Sequence, residues 1–194
     1  MNLLLPGMQK LPKGVAEAYD AISPCTKYRY DLRYKLADVA GDRRVLFCML
    51  NPSTATKEES DPTLCACMDF ARAWKCAWLQ IVNAYAFRAT DPDELRTAHD
   101  PIGPDNDAFI AAATTQADLR VCAWGRHVGH ERAVDVTRLL RGIHSRPVER
   151  IVPAGELRHD GHRLFALVIN KDGTPKHPLY IKRTTPLIPF EEAL

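Results

Sequence analysis

Residues 44–54 read Arg-Val-Leu-Phe-Cys-Met-Leu-Asn-Pro-Ser-Thr. Val45 to Leu50 is apolar throughout, as a strand covered on both faces should be. Pro52 then closes the run. A proline pushes the residue before it toward extended geometry, so Asn51 is held just past the strand's carboxyl end. Open α/β sheets place ligand sites at that end. Lys176-His177-Pro178-Leu179-Tyr180 repeats the device near the other end of the chain, again with a hydrogen-bonding side chain before a proline. An Asn and a His on proline-locked turns can orient a water and steady a developing anion.

Outward from this strand, the pattern alternates. Tyr28 to Leu36 interleaves aromatic and charged residues and reads as a strand at a sheet edge. Asp61-Pro62 opens a helix, with Asp as N-cap and Pro at its first position. Trp78 to Tyr85 is a second apolar strand. Asp91-Pro92 starts a short helix, and Gly103-Pro104-Asp105 starts another that runs to about Gln116. Leu119 to Trp124 is a third strand, and Glu131 to Arg141 a helix closed by Gly142. Val148 to Val152, Leu164 to Ile169 and Leu179 to Lys182 read as further short strands, with a turn at Asp172-Gly173. Strand and helix in alternation predict an α/β fold: a three-layer α/β/α sandwich around a mostly parallel sheet. Residues 1–27 read as an irregular N-terminal segment, with a turn of helix at Val15 to Ala21. Residues 28–194 read as one α/β/α domain.

Composition sets the bounds. The chain has 194 residues, enough for one domain with a real core. Lys plus Arg is 26 and Asp plus Glu is 24, a balance that neither demands nor excludes nucleic acid, since a local basic patch needs no global excess. No apolar run approaches the roughly 18 residues of a membrane span, and Met1 to Pro6 lacks the basic flank of a secretory signal. The expectation is a cytoplasmic protein with no membrane partner. The six cysteines, Cys25, Cys48, Cys65, Cys67, Cys76 and Cys122, have neither zinc-knuckle nor disulfide spacing, so buried thiols are expected, with no metal and no cofactor.

Four polar or special positions fall at strand ends: Asn51, Asn83, Gly125 and His177. Carboxyl ends of parallel strands share one edge, so the first three should converge, and His177 joins them if its loop returns there. Asn83 offers a donor and an acceptor to a planar amide edge. Gly125 lets a backbone approach closely. Arg88 is placed to contact a phosphate or to form a surface ion pair. Arg126, His127 and His130 sit where a helix N-terminus would favour an anion, or form a solvated turn. His159 and His162 flank a hairpin tip with no partner spaced to complete a metal site. Trp74 and Trp78 read as core. No phosphate-binding glycine loop is present, and Ser53 lacks the glycines of a nucleophile elbow. Nucleotide hydrolases, dinucleotide dehydrogenases and serine hydrolases are therefore disfavoured.

Leu50-Asn51-Pro52-Ser53, Asn83 through Arg88 with Pro92, Ala123-Trp124-Gly125 and His177-Pro178-Leu179-Tyr180 resemble a bacterial and phage family defined only as a domain of unknown function. The likeness spans about residues 28–182. That family in turn resembles the uracil-DNA glycosylase superfamily, in its branches with Asn-Pro in the first motif. The resemblance implies that Asn51 positions the hydrolytic water and that His177 stabilises charge on the leaving base. It further implies that Asn83 reads the base edge, that Gly125 follows the middle strand, and that Pro52, Ser53, Arg88 and Pro178 belong to the substrate surround. Met49 stands where the superfamily has Gly, Ser53 where it has Gly or Tyr, and Leu179-Tyr180 where it has Ser-Pro. The implied partner is DNA or a nucleotide. The implied reaction is N-glycosidic hydrolysis of a modified pyrimidine, in DNA repair or DNA modification. The alternatives are a phage-type base-modifying transferase using the same pocket and a non-catalytic base-binding module.

Overall fold

The computed structural model describes residues 11–54, 56–58, 61–143 and 163–191. In chain order they form β1 (Val15–Ile22), β2 (Arg29–Leu36), β3 (Arg44–Met49), α1 (Pro62–Ala73), β4 (Trp78–Asn83), α2 (Pro92–Thr97), α3 (Asn106–Gln116), β5 (Leu119–Cys122), α4 (His130–Leu140), β6 (Phe165–Ala166) and β7 (Ile188–Pro189). The strands make one seven-stranded sheet in the order β1-β2-β4-β3-β5-β6-β7.

The fold is α/β, but the sheet is mixed rather than mostly parallel. The pairs β3·β4, β3·β5 and β5·β6 are parallel, while β1·β2, β2·β4 and β6·β7 are antiparallel. The parallel centre comes from the strand–helix–strand units that the apolar runs announced. Antiparallel strands flank it on both sides. Val15–Ile22, read as a turn of helix, is a strand running antiparallel to β2. That pairing moves β2 from the expected edge to the interior, between β1 and β4. Leu164 to Ile169 shrinks to the two-residue β6, followed by a bridge from Ile169 to Pro175. Leu179 to Lys182 is not a strand; the last one is Ile188–Pro189. Val148 to Val152, His159 and His162 lie outside the described residues.

Alternate residues of the central strands feed two separate cores. Val45 and Phe47 of β3 pack with Leu79 and Ile81 of β4 against Leu64, Met68 and Phe70 of α1. Leu46, Cys48 and Val82 point the other way, to Ile110 of α3 and to Val136 and Leu140 of α4. This is the two-sided burial that an all-apolar strand requires. After β3 the chain passes through α1 to β4 on one side. After β4 it passes through α3 to β5 on the other side of β3. The strand order therefore reverses at β3, and a crevice opens at its carboxyl end, as such reversals produce. Trp74 and Trp78, read as core, are only partly buried; Trp74 packs against Phe47 and Phe70. Cys48, Cys67, Cys76 and Cys122 are buried free thiols, and Cys25 and Cys65 are exposed ones. Burial pushes the Cys48 thiol up to about 12 and the Cys76 thiol up to about 11.

Candidate functional site

A cleft of about 280 Å³ opens at the crevice beyond β3. Its wall includes Asn51, Pro52 and Ser53 after β3, Asn83 at the end of β4, Trp124 and Gly125 after β5, and His177. Six of the eight residues singled out in the sequence, Asn51, Pro52, Ser53, Asn83, Gly125 and His177, thus share one cavity. The backbone that holds them is tied to the strands. Ala84 N–H donates to Met49 O at 2.8 Å, Tyr85 N–H to Leu50 O at 2.9 Å and Ala123 N–H to Cys48 O at 2.8 Å. The loop carrying His177 is anchored by Gly125 N–H donating to Pro175 O at 2.9 Å and Lys176 N–H donating to Val168 O at 2.8 Å. Gly125 sits at φ +77°, left-handed backbone that a side chain would strain.

Arg88 and Pro178 do not line the cleft. Arg88 is a strut: its guanidinium donates to Thr26 O at 3.1 Å and to Thr54 O at 2.7 Å, joining two loops. Pro178 is buried behind His177 in sequence. Of the basic turn residues, only His127 reaches the cleft. Arg126 pairs with Asp172 at 3.2 Å, and His130 is the first residue of α4.

Asn51 spends both amide protons on the loop. Its Nδ2 donates to Ala89 O at 2.8 Å and to Pro52 O at 3.2 Å. Its carboxamide oxygen is what remains to serve a ligand or a water, and an oxygen can only accept. Asn83 is 4% exposed, and its Oδ1 has no hydrogen-bond partner among the described residues. A buried acceptor left unpaired costs about 1–3 kcal/mol, so a ligand N–H meeting it would recover that cost. The backbone oxygen of Asn83 accepts from Asn106 Nδ2 at 3.0 Å, which fixes the strand end.

His177 is half-buried, and its Nδ1 accepts the Leu179 N–H at 3.3 Å. Burial lowers its pKa below the ordinary 6.5, and the nearby Asp61 charge opposes the fall. The ring is therefore neutral near pH 7. Because Nδ1 accepts, the proton sits on Nε2, and His177 carries a fixed neutral donor.

Sequence reasoning missed the far wall. Arg29, Asp31, Leu32 and Tyr34 come from β2, and Asp61 and Thr63 from the start of α1. Arg29 and Asp31 are 6% and 3% exposed. Burial, and then the Arg88 charge, lower the pKa of Arg29. Burial raises that of Tyr34, whose hydroxyl donates to Lys57 O at 3.0 Å. The alternation of charged and aromatic residues along Tyr28 to Leu36 was visible. What hid their role was the placement of that strand at the edge. Asp61 was visible only as a helix cap, which it also is.

Among the described residues, no group of three or more His, Cys, Asp or Glu side chains is placed to hold a metal ion. No helix among them is long and apolar enough to cross a membrane. A protein-family model described as "Protein of unknown function (DUF1643)" matches residues 29–179. No curated protein and no solved structure matches the chain.

Proposed function

We propose, for a chain that belongs to the family described as Protein of unknown function (DUF1643), that the cleft binds a nucleobase in DNA or in a nucleotide and hydrolyses its N-glycosidic bond. A modified pyrimidine is the leading substrate. The finer fold reading, a three-layer arrangement resembling uracil-DNA glycosylase, is part of the proposal.

The observation that carries it is the pairing of Asn83 and His177 in one small cavity. A pyrimidine edge alternates N–H and C=O groups. Asn83 Oδ1 is a buried acceptor without a partner among the described residues, suited to the base N–H. His177, with Nδ1 occupied, turns a donor toward a carbonyl oxygen of the same base. When the glycosidic bond breaks, negative charge grows on that oxygen. A pre-placed donor is worth most where charge develops. Asn51 holds the attacking water through its carboxamide oxygen and gives it direction. The cavity lies just under the roughly 300–1,000 Å³ of small-molecule sites, which suits one base and its sugar. Tyr180 follows His177 closely, is 90% exposed and sits at φ +69°. An exposed aromatic beside a base pocket offers a stacking face to a neighbouring nucleotide.

The test is product analysis by mass spectrometry after incubation with oligonucleotides carrying uracil, hydroxymethyluracil and other modified pyrimidines. Hydrolysis gives free base and an abasic strand. A base of altered mass in an intact strand makes the protein a base-modifying transferase. Tight binding with unchanged strands makes it a binding module. Either of the last two results defeats the hydrolysis reading.

A further inference from the structure

We propose that Asp61 is the general base of this cleft, the carboxylate that takes a proton from the attacking water. The inference rests on the glycosidic-hydrolysis reading and supplies a group that reading lacks. An amide has no useful proton affinity, so Asn51 can hold a water but cannot deprotonate it.

Among the described residues, two carboxylates line the cleft, Asp31 and Asp61. Asp31 is already engaged on both oxygens. Its Oδ2 forms an ion pair with Arg33, and its Oδ1 accepts from Gln80 Nε2 at 2.9 Å. Asp61 is half-buried and engaged on one side only. Its Oδ1 accepts the Leu64 N–H at 2.7 Å as the N-cap of α1. That bond fixes the side chain, and among the described residues no hydrogen bond or ion pair engages Oδ2. Asp61 is also close to the groups that would do the rest of the chemistry. Its charge acts on His177, and it acts on Arg29 and Tyr34 from β2. Cys67 of α1 feels it from the protein interior. Among the described residues, Asp31 and His127 are the other titratable groups of the wall.

One water proton passes to Asp61 Oδ2 while the water oxygen bonds to C1′ of the sugar. The C1′–N bond breaks, and its electron pair leaves with the base, whose carbonyl oxygen accepts from His177 Nε2–H. The base then takes up the proton from Asp61 through solvent. The products are a neutral base and a sugar hydroxyl, and the carboxylate is regenerated.

Asn caps a helix as well as Asp, and Gly loses only a few tenths of a kcal/mol as a cap. Asp61→Asn and Asp61→Gly therefore separate capping from proton transfer. The experiment is single-turnover base release from whichever modified oligonucleotide the wild type cleaves, with melting temperature and oligonucleotide affinity measured beside it. Both variants should lose about 10²–10⁴-fold in rate, the range for general-base removal, with melting and affinity close to wild type. Added formate should restore rate to Asp61→Gly, where space is left for it, and not to Asp61→Asn. A role confined to capping moves neither rate nor formate response. Wild-type rates in both variants, or a loss without formate rescue, overturn the assignment while the hydrolysis reading stands. A wild type that releases no base from any substrate overturns both.

Discussion

The two ends of the parallel strands β3, β4 and β5 differ in how their polar groups are spent. At the amino ends the polar groups of Arg44 are paired within the protein. The Arg44 N–H donates to Asp118 Oδ2 at 2.8 Å, and the Arg44 guanidinium reaches Gln80 and Gln116 at 3.2 Å each. It also lies over the Trp78 ring, with 5.1 Å to the centroid. At the carboxyl ends, Asn83 Oδ1, Asn106 Oδ1 and Arg88 Nε are buried without a partner among the described residues. Gly125 and Tyr180 are there too, both in left-handed backbone. The same strands, with the same two cores behind them, thus end in paired side chains around Arg44 on one side and, on the other, in a cavity whose wall holds Asn83 Oδ1, buried without a partner among the described residues. Unpaired buried groups cost stability. Asn83 Oδ1, which lines the cleft, is where a ligand donor would recover that cost.

The largest effect is expected at His177. His177→Ala should lower the single-turnover rate of base release by roughly 10²–10³-fold, the scale for deleting one transition-state donor. Substrate affinity should stay nearly unchanged. An equal loss of affinity would make His177 a binding residue and leave the chemistry without its donor.

Asn83→Ala should weaken ligand binding by about 1–3 kcal/mol, roughly 5–150-fold. It should not lower folding stability, because the oxygen it removes has no partner among the described residues. Urea unfolding of the two proteins checks this. A stability loss with unchanged binding would make Asn83 part of the structural frame.

The amino end should behave in the opposite way. Asp118→Ala leaves the Arg44 N–H without its side-chain acceptor, so it should cost about 1 kcal/mol of stability. It should leave base release at the wild-type rate. A large rate loss in this variant would erase the distinction between the two ends.

The smallest effect is in pH. Unfolded His177 takes up its proton near 6.5, and the folded residue does so only at lower pH. Stability from the neutral ring is complete above 6.5 and is lost as pH falls through the folded value. His177→Ala should flatten that acid slope in a denaturation series. An unchanged slope would mean that burial does not hold the ring neutral.

The part of the molecule that could be read from the sequence is the part whose signal is local. Val45 to Leu50 announces a doubly covered strand in its own composition, and Asp61-Pro62 announces a helix start. Both are in place, as β3 and α1. Asn51, Asn83, Gly125 and His177 could be gathered because a single rule, carboxyl ends on one edge, brings them together. What the sequence hid depends on pairing at a distance. Val15 to Ile22 has no strong period of its own. It becomes a strand only against β2, with Ala18 opposite Tyr34 and Asp20 opposite Leu32. Once β1 covers β2, the alternating charges of β2 lie in the interior, and Arg29 and Asp31 become cleft wall. Asp61 was hidden as cleft wall for a different reason: its cap role is complete in itself and gave no cause to look further.

The neutral donor on His177 can be observed directly. In protein labelled with ¹⁵N-histidine, His177 is assigned by the signal lost in His177→Gln, and the spectrum is followed at pH 7 while a pyrimidine base is added. An unprotonated Nδ1 and a protonated Nε2 are expected before ligand. Addition should then shift the Nε2–H, with Nδ1 remaining an acceptor. A doubly protonated ring, a proton on Nδ1, or no response to any pyrimidine would contradict this expectation.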